Sequence, residues 1–226
     1  MTDTEGHRRL IHASADASIA TSKVVTTVFE AVLEAIHEGQ LLPGQRISDT
    51  SLAAELGVSR TPVREALQRL REIGVVEASA SRFTRVAVVS PRQTAEAMIV
   101  WVALYGALVD EVIPAVDVSV YSAMVEDHEL FRAGVTARDM QAIATTNFSF
   151  FSRLAAASRN ESLRKAITSV VHLVRLGSLH LPDYIDFVAL DSAQTMLLDA
   201  ARTHDVTLAH EAMTALRGIR VPLDPQ

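Results

Sequence analysis

The sequence predicts a mainly α-helical chain in two parts. A helix-turn-helix with an attached strand pair spans residues 21–90, and an all-helical bundle of about six helices spans residues 91–226. Three observations carry this expectation. Aromatic residues make up 5% of the chain, glycine and proline are few, and long stretches are rich in the helix formers Ala, Leu, Glu and Arg. The stretch VVEASASRFTRVAVV at 75–89 breaks that pattern, with β-branched residues at both ends of a small polar middle, as in two strands joined by a turn. Ser90-Pro91 then offers an N-cap followed by a proline at the first helical position, which places a domain junction near Ser90.

Residues 1–20 are polar with mixed charge and read as a flexible N-terminal segment, without the apolar run that a signal peptide needs. Helical rhythm begins with Val24, Val25, Val28, Phe29, Val32, Leu33 and Ile36, which put apolar side chains on one face. Gly39 can end that helix, and Leu42-Pro43-Gly44-Gln45 forms a turn. A short helix is expected from Asp49 to Leu56, stopped by Gly57. A second helix then opens at Ser59 or Arg60 and runs through Thr61-Pro62-Val63-Arg64 to Leu70. A short helix, a glycine turn and a second helix with an N-terminal proline is the helix-turn-helix plan. Ser59, Arg60, Thr61 and Arg64 are donors suited to phosphates and guanine edges, and the helix N-terminus adds its own positive dipole.

Composition bounds the rest. The chain has 226 residues, 49% of them hydrophobic, so it buries a real core and is not disordered. The absence of cysteine excludes disulfides, thiolate zinc sites, iron–sulfur ligation and a cysteine nucleophile. The net charge of -6 argues against a nucleic-acid partner until it is divided along the chain. Residues 21–90 hold 8 basic and 8 acidic side chains, whereas residues 91–226 hold 11 and 16. Within the first part, Arg60, Arg64, Arg69, Arg71, Arg82 and Arg85 gather toward the end, so its basic character is local. The longest apolar run, AMIVWVALYGALV at 97–109, is shorter than the roughly 20 residues of a membrane span and reads as a buried helix; a cytoplasmic protein is expected.

The string LGVSRTPVREAL at 56–67, with the preceding AIHEGQLLPGQRI at 35–47, resembles the winged-helix domain of GntR-family bacterial transcription regulators over about 50 residues. That resemblance implies a recognition helix in the major groove and a hairpin wing at the neighbouring minor groove. By position, Arg60, Thr61 and Arg64 are expected to reach bases or phosphates, with Ser59 and Arg69 on the same helix, Arg46 anchoring the backbone, and Arg82 and Arg85 on the wing. Two departures stand out: Leu33 takes the place of a usual arginine, and Phe83 takes that of the wing-tip glycine.

Behind this reader, helices are expected near 91–113, 118–132, 137–157, 160–178, 184–203 and 205–218. The breaks fall at Pro114, Gly134, residues 158–160 and Leu181-Pro182-Asp183. The arrangement resembles the FCD-type domain of the FadR subfamily, with Phe150, Leu154, Asn160, Leu197, Ala200, Asp205 and Met213 as local matches. Many such domains hold a divalent metal through an Asp and a His four apart and two further His. The matching positions here are Asn147, Phe151, Gln194 and Leu216, so no metal is expected. The places of an effector-gripping arginine and a glutamate become Trp101 and Tyr105. His172 and Arg175 lie one turn apart on the same predicted helix. His204 and His210, six apart, read as lying on different faces of one helix.

The resulting expectation is a homodimeric repressor of a near-palindromic operator. Its effector would be apolar, acyl or aromatic, bound by Trp101, Tyr105, Asn147, Phe151, His172, Arg175, Gln194 and Leu216. The alternative is an effector-independent regulator whose bundle only dimerises. No cofactor, no membrane partner and no enzyme activity is expected, since neither a metal cluster nor a Ser-His-acid register stands out.

Overall fold

The computed structural model describes residues 22–78, 83–180 and 186–219. The N-terminal segment, Arg82 and the break at Leu181-Pro182-Asp183 lie outside the described residues. The chain divides into two compact units, Met1–Val88 and Val89–Gln226.

In the first unit, α1 spans residues 22–37 and buries Val25, Val28, Val32 and Ile36, the face its periodicity forecasts. Gly39 and Gly44, with φ of 73° and 74°, carry the chain through conformations other residues rarely adopt. Strand β1, Arg46–Ile47, leads into α2, Asp49–Glu55, whose N-cap Ser48 accepts from the Ser51 amide. Gly57 (φ 66°) makes the turn into α3, Arg60–Glu72. Val63, Ala66, Leu67 and Leu70 fix α3 in the core, which leaves Arg60 and Arg64 on the outer face. Strands β2, Val76–Ala78, and β3, Thr84–Val86, pair antiparallel with Glu77 opposite Arg85. The strand pair read at 75–89 is therefore present, but β1 joins it on the other edge, giving the order β1-β3-β2 with Arg46 opposite Arg85. A two-residue strand has too few positions to show alternation, which is why the sequence did not announce it.

The second unit opens with α4, Pro91–Val112, capped by Ser90 and Gln93 in a reciprocal capping box. A 3₁₀ turn, Ile113–Ala115, precedes α5, Val118–Ala137, then α6, Met140–Ala157, and α7, Glu161–His180. Helices α8, Phe187–Thr203, and α9, Val206–Gly218, complete the described bundle. Helix α4 lies at its centre, packed on α6, α7 and α9, while α5 pairs with α6 and α8, and α8 with α9. By length and composition α4 could cross a membrane, yet Trp101, Val102, Tyr105, Leu108, Val109 and Val112 are buried in the bundle core.

Two sequence expectations need correction. Gly134 does not end α5; the helix continues to Ala137, and Arg138, in the left-handed region at φ 55°, makes the stop. Gly134 is buried, and a Cβ there would stand 3.2 Å from the Ile143 amide nitrogen, so the glycine serves the close approach of α5 and α6. His204 and His210 do not share a helix. His204 is the left-handed C-cap of α8, within 3.1 Å of the Ile113 carbonyl, and His210 on α9 meets Asp110 at 2.7 Å.

Candidate functional site

The outer face of α3 and strand β1 enclose a groove of about 680 Å³, lined by Arg46, Asp49, Arg60, Arg64, Gln68 and Arg71 among others. Residues 60, 64, 68 and 71 share one helix face, so a single element projects three guanidinium groups into it. Arg46 comes from β1, with its guanidinium 3.8 Å from the centre of the Phe83 ring. Phe83 is thus a half-buried platform for a cation.

The arginines are not equally available. Asp49, the first residue of α2, accepts from Arg64 Nε at 2.7 Å and from Arg60 Nη2 at 2.9 Å. These hydrogen bonds, Arg64's first and Arg60's next, hold the Asp49 carboxyl down at about 2. Arg85 on β3 is answered by Glu77 at 2.6 Å. Arg69 lies about 140° around α3 from Arg64 and does not line the groove. Ser59 is an exposed N-cap without a side-chain capping bond, and Thr61 is exposed beside it. Of the contact residues expected from the sequence, the groove brings together Arg46, Arg60 and Arg64. Arg71, named from the sequence only as part of the basic cluster, and Gln68, not named at all, line it too, as helical spacing from Arg60 and Arg64 allows. Sequence reading assigned neither a role. It also passed over Asp49, whose role depends on the α2–α3 angle and left no sequence signal beyond a helix-starting acid.

In the second unit the eight predicted effector residues do not converge on one cavity. Trp101, Asn147, Phe151 and Arg175 border, with Phe148 and Val174, a space of about 40 Å³ between α4, α6 and α7. That is room for about one water molecule. The interior is closed by rings: Trp101 lies 4.4 Å from Tyr105 and 4.7 Å, edge-on, from Phe151, centre to centre. Tyr105 donates its phenol to the Phe151 carbonyl at 2.9 Å, and burial pushes its pKa upward. Trp101 is 4% exposed, and its indole N–H is buried without a hydrogen-bond partner among the described residues. Arg175 stacks over Phe148 at 4.5 Å and donates to Thr145 at 3.2 Å. His172 sits beside Phe148 outside the cavity lining, and burial, then Arg175, lowers its pKa to about 4.

Gln194 and Asn147, on α8 and α6, belong to a buried polar lane. Gln194 Nε2 donates to Asn147 Oδ1 at 2.9 Å, and Gln194 Oε1 lies 2.8 Å from His128 Nδ1 on α5. Asp191, gripped by Arg132 at 2.6 Å, stands 3.5 Å from the other His128 nitrogen. These residues do not fit a divalent metal. Both amide oxygens are already engaged, no carboxylate takes part at Asn147 or Gln194, and Phe151 and Leu216 are apolar core side chains. Among the described residues no group of three or more His, Cys, Asp or Glu side chains could hold a metal. His128 was not singled out from the sequence, although its spacing from Met124 and Phe131 places it on the buried face of α5.

A helix-turn-helix with a three-stranded wing, followed along the chain by an α-helical bundle, defines a two-domain bacterial transcription regulator. Residues 25–86 match the bacterial regulatory proteins of the gntR family, and residues 96–217 match the FCD domain. The chain belongs to the GntR family, in the group that carries an FCD domain: a transcriptional regulator with a DNA-binding helix-turn-helix and an FCD effector-binding domain. Among its relatives, a probable D-xylose utilization operon transcriptional repressor of Paenarthrobacter nicotinovorans is 26% identical over 209 residues, 86% of this chain and 88% of that one. An HTH-type transcriptional regulator in the TAR-I ttuE-ttuC' intergenic region of Agrobacterium vitis is 33% identical over 90 residues, 40% of this chain and 53% of that one. Among solved structures, E. coli McbR/YncC has the same fold, with a TM-score of 0.72 at 23% identity over 86% of this chain and 93% of the other.

Proposed function

We propose that this regulator is a repressor that binds a near-palindromic operator as a homodimer, reading it with Arg60, Thr61 and Arg64 and holding the backbone with Arg46. The observation that carries the reading is the shared groove: Arg46, Arg60, Arg64 and Arg71 face one space on the outer side of a helix fixed by its own core residues. Guanidinium groups on such a helix suit the guanine O6/N7 edge and the phosphates beside it. Two-fold symmetry follows from two half-sites needing two readers in fixed relation. The Paenarthrobacter relative, a probable transcriptional repressor, supports repression. No metal takes part, because the lane through Asn147 and Gln194 is already hydrogen-bonded.

The effector is an apolar compound, acyl or aromatic, carrying a hydrogen-bond acceptor. The buried indole N–H of Trp101, which has no partner among the described residues, supports this, because an unpaired buried donor costs about 1–3 kcal/mol, which an acceptor on the ligand recovers. A space of about 40 Å³ holds no such ligand as it stands, so the half-buried Phe148 and Arg175 give way on binding. The same small volume favours a second reading, in which the bundle only dimerises and the regulator answers to no effector. Fluorescence anisotropy on duplexes from upstream of the protein's own gene, repeated with apolar acids, thioesters and phenolics, separates them. An effector regulator shows a compound that changes DNA affinity and raises Tm, and an effector-independent one shows neither. Operator binding that is indifferent to Arg60 and Arg64 overturns the reading surface itself.

A further inference from the structure

The groove places a carboxylate among its cations. Asp49 is 25% exposed at its side chain, accepts from Arg64 Nε at 2.7 Å, and accepts from Arg60 Nη2 through both oxygens, at 2.9 and 3.2 Å. Arg60 and Arg64 remain 52% and 63% exposed, so both side chains stay open to solvent while Asp49 holds Arg60 by its terminal Nη2 and Arg64 by Nε. The carboxylate is ionised throughout the physiological range, with its pKa near 2, and it belongs to α2 while both arginines belong to α3. A half-buried acid on a surface that binds phosphate is a cost in affinity, since it cancels one of the charges that release counterions.

We propose that Asp49 is a specificity-determining residue of the DNA reader: it holds Arg60 and Arg64 in fixed orientation toward a base edge and suppresses sequence-blind binding to phosphate. The geometry gives it both roles at once. By taking Nε of Arg64, Asp49 sets the plane of the guanidinium and leaves the two Nη groups at its tip, the end that pairs bidentately with guanine O6 and N7. By neutralising one of two adjacent charges, it removes the pull that draws a flexible arginine to the nearest phosphate. A merely structural tie between α2 and α3 would act differently, because its loss weakens binding to every sequence alike.

The inference rests on the reading of Arg60 and Arg64 as DNA contacts, and the test keeps the two apart. Full-length protein is used to select duplexes from a random library. Binding of the selected duplex and of a random-sequence duplex is then measured across a salt series. Arg60→Ala with Arg64→Ala tests the reading surface: unchanged affinity for both duplexes removes that reading. With the surface standing, Asp49→Asn is expected to bind the random duplex several-fold more tightly. Its slope of log affinity against log salt steepens by about 1 for each arginine released to a phosphate. Discrimination between the two duplexes falls by about tenfold or more, the value of a good bidentate base contact. Asp49→Glu, which keeps the charge, retains the weak random-sequence binding and the shallower slope. The proposal is overturned if Asp49→Asn weakens both duplexes in proportion, or leaves their ratio and the salt slope unchanged. Should Asp49→Asn fail to fold, Asp49→Ser decides by the same two readouts, since it also removes the carboxylate from Arg60 and Arg64. Tighter random-duplex binding with lost discrimination supports the clamp, and an unaltered ratio and salt slope overturn it.

Discussion

Replacing Gln194 by Leu should destabilise the helical bundle by about 3 kcal/mol. Gln194 is fully buried and spans two neighbours, donating to Asn147 at 2.9 Å and lying 2.8 Å from His128 Nδ1. Leucine has a similar volume, so the change is chiefly one of hydrogen bonding. Two such bonds contribute about 1 kcal/mol each, and a buried ring nitrogen left unsatisfied on His128 costs at least about 1 kcal/mol more. His128 is 5% exposed, so water does not readily replace the lost partner. At about 2–4 °C per kcal/mol for a unit of this size, Tm should fall by about 6–12 °C. The single tryptophan of the chain, Trp101, lies in the bundle core, so its fluorescence in a urea titration reports this unit. Adding His128→Leu to Gln194→Leu removes the stranded nitrogen, and the double variant should lose less than the sum of the two single changes. A Gln194→Leu protein within about 0.5 kcal/mol of the parent would refute the reasoning, because the lane would then not be a buried, satisfied network.

Gly177→Ala should cost about 1–3 kcal/mol, since a Cβ there overlaps Thr94 Oγ1 and stands 2.6 Å from Cγ2; a urea midpoint at the parent value would contradict this contact of α4 and α7. His172, with its pKa lowered to about 4, is held neutral in the fold but binds a proton near pH 6.5 when unfolded. Its contribution is therefore full above pH 6.5 and is lost as pH falls toward 4, by up to about 3 kcal/mol. His172→Leu should flatten that slope in urea titrations run between those limits. Manganese, nickel or zinc ions should leave the Tm of the parent unchanged. A parent protein stabilised by metal would contradict the fit argued for the lane.

The reader was legible in the sequence because its signals are local. Gly39 and Gly57 mark turns that need positive φ, Pro62 opens a helix, and alternate faces of α3 separate Val63, Ala66 and Leu67 from Arg60 and Arg64. The bundle helices were legible from apolar rhythm, except where a glycine had two possible meanings. Gly134 looks like a stop in one dimension and is a packing contact in three. What the sequence concealed are relations across elements. Asp49 meets α3 only once α2 and α3 are crossed, and His128 meets Gln194 from 66 residues away. The predicted effector set mixes both cases. Trp101, Phe151 and Asn147 do approach one another, whereas Leu216 and Gln194 belong to the core and the polar lane. The interior is filled by aromatic side chains: the rings of Trp101, Tyr105 and Phe151 occupy it themselves.

The central claim is that the outer face of α3 reads DNA through Arg60 and Arg64. The most direct measurement is the affinity of the full-length protein, and of Arg60→Ala and Arg64→Ala, for a duplex selected by the parent from a random library. Each substitution is expected to weaken that duplex by about tenfold to a hundredfold and to relax the base preference at its own position in a repeated selection. Parent-like affinity and an unchanged selected sequence in both variants would show that the groove is not the reading surface.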